Sequence, residues 1–76
     1  MNTADMLIYV HPEMSADART SLERKIMGCI GVDCAEFAHQ PHPHTLLVKY
    51  DPDAVQGMQI LDMVRQVDPQ ATRVGL

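Results

Sequence analysis

The first clear pattern in the chain is an alternation. In "DMLIYVH", residues 5 to 11, Met6, Ile8 and Val10 alternate with Leu7, Tyr9 and His11. A period of two is that of a β-strand with its two faces in different surroundings. Pro12 follows and stops the strand, because it has no N–H to give to a neighbour. The period then changes. Across "MSADARTSLERKIMGCIG", residues 14 to 31, Ala18, Leu22, Ile26 and Cys29 recur at helical spacing and predict one buried stripe. Ser15 is placed to cap this helix, Asp17 suits the positive end of its dipole, and Gly31 is placed to end it.

Alternation returns in "VDCAEFAH", 32 to 39, and more strongly in "TLLVKY", 45 to 50. In the latter, Leu46, Val48 and Tyr50 face one way and Thr45, Leu47 and Lys49 the other. "HQPHPH", 39 to 44, is the connection between these two strands. "DPD", 51 to 53, is a turn. A second helix begins at Asp53 or Gln56 and runs to about Val67, with Ile60, Leu61, Val64 and Val67 as its apolar stripe and Pro69 just beyond its end. "ATRVGL", 71 to 76, supplies a short last strand. The order β-α-β-β-α-β predicts an α+β, ferredoxin-like sandwich over residues 1 to 76. Right-handed crossovers give a four-stranded antiparallel sheet in order 4-1-3-2 with both helices on one face. Met6, Ile8, Val10, Leu22, Ile26, Leu46, Val48, Ile60 and Val64 are the expected core.

Composition narrows the function more than the fold. Apolar residues make up 46% of the chain, too many for a disordered segment. The six lysines and arginines are scattered and the net charge is −4, so the basic stripe that nucleic acid or an anionic membrane requires is missing. No apolar run has the length of a membrane span or follows a basic segment as a signal peptide does. A cytoplasmic location is expected, with Cys29 and Cys34 as thiols, since two cysteines do not make a disulfide framework.

Several stretches together resemble the heavy-metal-associated domain family, the copper chaperones and the N-terminal modules of metal-pumping ATPases. They are "SLERKIMGCIGV", 21 to 32, with its glycine–valine ending, "VKYDPDAV", 48 to 55, and "ILDMVRQV", 60 to 67. The resemblance covers nearly the whole chain as a pattern of apolar positions and turns. It implies the same ferredoxin-like fold and a metal-handling role. It also implies a Met-Thr-Cys-x-x-Cys loop at the start of the first helix, whose two thiolates hold a soft ion such as Cu(I). This chain has "HPEMSADA", 11 to 18, in that place, and the cysteine positions fall on Ser15 and Ala18. The thiolate site is therefore absent. From Phe37 to Val48 the chain is also longer than the family spacing, and the histidines lie in that extension.

Those histidines are the main candidate chemistry. In an extended segment His42 and His44 point to the same side, roughly 7 Å apart at Cα, and His39 ends the opposite strand. Three neutral imidazoles could converge on Zn(II), Ni(II) or Cu(II). The bland alternative is a solvated turn whose prolines block growth of the sheet edge. His11 and Met14, bracketing Pro12 and Glu13, form a second candidate set in the loop that holds metal in the relatives. Cys29 on the core stripe reads as a small buried apolar residue. Cys34 lies between Asp33 and Glu36, which favour the neutral thiol. No phosphate loop, nucleophile elbow or paired-carboxylate motif occurs, so an enzyme is not expected.

Leu7 and Tyr9 alternate to the face of the first strand away from the helices, and Leu47 does the same in the third. Antiparallel sheets exposed to water normally carry polar residues on that face. The patch predicts contact with a protein partner or a second copy. RNA binding on this topology would need aromatic residues on the central strands. Tyr9 suits, but Leu47 stands where the second ring belongs and the charge is wrong.

Overall fold

The computed structural model describes residues 3–38 and 44–74. Its elements are β1 (Ala4–Tyr9), α1 (Ala16–Met27), β2 (Val32–Phe37), β3 (Thr45–Tyr50), α2 (Gly57–Val67) and β4 (Thr72–Val74). The strands form one antiparallel sheet in the order β2-β3-β1-β4, which is 4-1-3-2 read from the other edge. The α+β ferredoxin-like arrangement is the observed one. All nine expected core residues are buried and share one cluster with Ala35, Phe37, Tyr50, Leu61 and Ala71.

Register explains why the core forms on one face. Met6 faces Val48 and Ile8 faces Leu46 across the β1–β3 ladder. Side chains directly opposite in an antiparallel pair share a face, so these four form an apolar floor. Leu22 and Ile26 of α1 and Ile60, Leu61 and Val64 of α2 cover it. Burying each such side chain contributes about 1.5–3 kcal/mol.

The ends of the elements differ from the sequence reading in places. β1 stops at Tyr9, so His11 lies beyond the strand. α1 ends at Met27, with Gly28 as its C-cap, rather than running to Gly31. Cys29 consequently sits past the helix and is half-buried, not a member of the core stripe. Of the two starts the sequence allows for α2, Gln56 is the cap, and its N–H donates to Gln59 Oε1 at 2.8 Å. Val67 is 45% exposed and leaves the buried stripe at the last residue of the helix.

Gly31 marks a close approach. Its φ of +91° lies in the left-handed region, and a Cβ there would come within 2.9 Å of Ala54 Cβ and Val55 Cγ1. Only glycine suits both demands. Its carbonyl accepts from the Asp51 N–H at 2.7 Å, so the α1–β2 and β3–α2 connections are joined at this end of the sheet. At the other end, Glu23 of α1 reaches the edge strand, where Oε2 accepts from the Phe37 N–H at 2.7 Å. That bond satisfies a donor which an edge strand would otherwise present to other chains.

Candidate metal-binding end of the domain

Three connections meet where β1 ends and β3 begins. The Val10 N–H donates to the His44 carbonyl at 3.0 Å, and the Ala38 N–H to the Thr45 carbonyl at 2.9 Å. The β1–α1 loop and the β2–β3 connection therefore leave the sheet side by side. The α2–β4 connection joins them through Asp68, whose Oδ2 accepts from the His11 N–H at 2.7 Å and whose Oδ1 accepts from the Gln70 N–H at 3.1 Å. Asp68 is only 7% exposed. A buried carboxylate needs such donors, and here they fix two loops that are 57 residues apart in sequence. Nothing in the sequence pattern singles out Asp68, because its partner lies far along the chain.

The loop from His11 to Ser15 is a tight turn followed by a helix cap. The Met14 N–H donates to the His11 carbonyl at 3.0 Å, with Pro12 and Glu13 as the central residues. The Glu13 N–H donates to His11 Nδ1 at 3.1 Å. An Nδ1 that accepts puts the ring proton on Nε2. Ligation through Nε2 would move that proton to Nδ1, against the Glu13 N–H, so this side-chain hydrogen bond would have to break. Met14 is half-buried and packs on the core. His11 and Met14 thus serve the turn and the core in this arrangement.

Ser15 and Ala18, the positions where the resembled family carries thiolates, are joined to each other. Ser15 Oγ accepts from the Ala18 N–H at 3.1 Å, the N-capping bond of α1. A hydroxyl does here, for the helix, what a metal loop would leave to other groups.

Of the hairpin histidines, His39 and His42 lie outside the described residues. His44 stands immediately before β3, its ring 5.6 Å from that of Tyr9 and inclined at 50°. Among the described residues, no group of three or more His, Cys, Asp or Glu side chains could hold a metal ion. The three-imidazole set is therefore neither assembled nor dismantled by the described geometry, which anchors one member at the strand head.

The sheet face away from the helices carries the other candidates. Leu7 faces Leu47 on one side and Val74 on the other, while Tyr9 faces Thr45 and Thr72. Leu7 and Tyr9 are 40% and 41% exposed, and Leu47 is half-buried. Lys49 and Asp5 are opposite each other one pair further along. Thr45 is buried, and its hydroxyl has no hydrogen-bond partner among the described residues. No helix among the described residues is long and apolar enough to cross a membrane.

No family model matches the chain. No curated protein matches it either. Among solved structures, the solution structure of a copper-bearing, singly substituted CopA from Bacillus subtilis matches with a TM-score of 0.67. It covers 96% of this chain and 91% of that one at 18% sequence identity. At that identity the likeness is one of fold: this chain has a ferredoxin-like fold.

Proposed function

We propose that the chain is a non-catalytic, metal-handling module that takes a divalent transition metal, Zn(II), Ni(II) or Cu(II), through His39, His42 and His44. The observation that supports this reading is the placing of His44. Its backbone is held to Val10 and its ring leans on Tyr9, so one imidazole of the set is positioned by the sheet itself. The likeness of fold to a copper-bearing domain adds to it. Ser15 and Ala18 supply no thiolate, so soft-ion transfer at residues 11 to 18 is not part of the proposal. A titration with Zn(II) or Ni(II) tests it. The wild type is expected to bind one equivalent and the His39→Ala, His42→Ala, His44→Ala variant to lose at least tenfold in affinity. Equal affinity would remove the histidines and leave the polar-turn reading.

A second reading is favoured by the open sheet face: a module that associates with a second copy of itself. A two-fold axis parallel to the strands, between β1 and β3, exchanges the register partners of these strands. It lays Leu7 of one copy on Leu47 of the other, Lys49 on Asp5, and Tyr9 over Thr45, whose hydroxyl has no partner among the described residues. Apolar, charged and polar pairs are then all complementary. Sedimentation at several concentrations decides this; a strictly monomeric wild type would exclude it.

A further inference from the structure

The sequence pattern treats Cys29 as core. The structure joins it to a methionine. Cys29 Sγ lies 3.6 Å from Met63 Sδ, across the α1–α2 contact and 34 residues away in sequence. Both residues are half-buried, and the thiol is free of any disulfide.

The surroundings of the thiol give this pair its meaning. α1 has just ended, and the Cys29 N–H turns to the Ile26 carbonyl at 3.1 Å. The Lys25 carbonyl loses its usual helical partner in this way, and Cys29 Sγ lies 3.3 Å from it instead. The thiol therefore has one proton and two acceptors within reach, Lys25 O and Met63 Sδ. When the proton goes to the carbonyl, the two sulfurs face each other with lone pairs alone. Lys25 Nζ donates to Gln66 Oε1 at 3.0 Å and ties the same two helices one turn further along, which holds the gap from one side.

We infer that Cys29 and Met63 form a binding site for a soft monovalent cation, Cu(I) or its redox-inert surrogate Ag(I). Thiolate and thioether are the ligands such ions select. Taking the zinc–thiolate length of about 2.3 Å as a guide for each metal–sulfur bond, a 3.6 Å gap closes at an S–metal–S angle of about 103°. That is a bent arrangement with room for a third ligand from solution, such as water or an external thiol. The cation would lie at the C-terminal end of α1, where the helix dipole favours positive charge. Binding exchanges one ion for another: the Cys29 S–H bond breaks, its proton goes to solvent, the thiolate bonds the metal, and no oxidation state changes. The site lies at the opposite end of α1 from Ser15. It shares no residue with the hairpin histidines, and it stands or falls independently of them.

The test is Ag(I) titration of the full chain carrying Cys34→Ser, with the methionine ε-methyl groups labelled for NMR. At one equivalent the Met63 methyl is expected to shift while Met14 and Met58 stay in place. Met63→Leu, which keeps volume, is expected to weaken binding at least tenfold, and Cys29→Ser to abolish the Met63 shift. Thermal melts identify any variant that has lost the fold, and the methyl shift in the otherwise unaltered chain remains decisive in that case. A Met63 methyl that does not move when Ag(I) binds, or an affinity within threefold of the parent in Met63→Leu, would overturn the assignment.

Discussion

Replacing Asp68 by alanine removes the acceptor of two backbone donors at once. The His11 N–H at 2.7 Å and the Gln70 N–H at 3.1 Å lose their partner in a region that is partly buried. A hydrogen bond to a charged group contributes about 1.5–3 kcal/mol, and the donors left behind are only partly rehydrated. The shorter bond to His11 should retain most of that range and the longer, more local bond to Gln70 less. The expected loss is about 2–4 kcal/mol. A domain of this length has roughly 4–11 kcal/mol in total, so the loss is a large share of it. Asp68→Asn keeps one acceptor oxygen and should lose about half as much. Urea denaturation of the three proteins measures this directly. An unchanged slope with a lowered midpoint would place the effect in the native state. If Asp68→Ala stays within about 0.5 kcal/mol of wild type, below the usual worth of a single hydrogen bond, the carboxylate does not clamp the two loops and the reasoning fails.

Gly31→Ala forces a side chain into the left-handed region at φ +91° and against Ala54 and Val55 at 2.9 Å. It should cost about 1–3 kcal/mol from the backbone alone, read as a lower midpoint in the same assay. Ser15→Cys with Ala18→Cys places two thiols at the start of α1 and weakens its N-cap, by about 1 kcal/mol; a new Cu(I) site at residues 11 to 18 is expected in a competition assay, and none would mean that the loop differs from that of the resembled family. Leu47→Lys touches only the outer face, so it should leave the melting temperature near that of wild type while ending any concentration-dependent sedimentation.

The fold was legible because its information is periodic and local. Alternation in β1 and β3 separates Met6, Ile8 and Val10 from Leu7 and Tyr9, and Leu46 and Val48 from Leu47, and these sets do lie on opposite faces. Element ends were less legible. Cys29 follows Ile26 at a helical interval, and spacing alone could not show that Gly28 caps the helix between them. Val67 likewise keeps the period of α2 but stands at its exposed last residue. The candidate site was legible only where one residue type declares its chemistry. Three histidines in six residues are visible in sequence, as is the lack of thiolates at positions 15 and 18. Asp68 with His11, and Cys29 with Met63, are pairs made by tertiary packing, and no spacing within a single element reports them.

The central claim, a divalent metal held by the hairpin imidazoles, is tested most directly by mapping backbone amide shifts during a Zn(II) titration. Metal competes with the proton for imidazole, so binding should weaken on acidification. The expected shifts centre on His44 and Thr45 and extend to Tyr9 and Val10, their neighbours across the ladder. They should be absent from the variant in which His39, His42 and His44 are alanine. Shifts centred on residues 11 to 18, or a spectrum that does not respond to Zn(II), would contradict the claim.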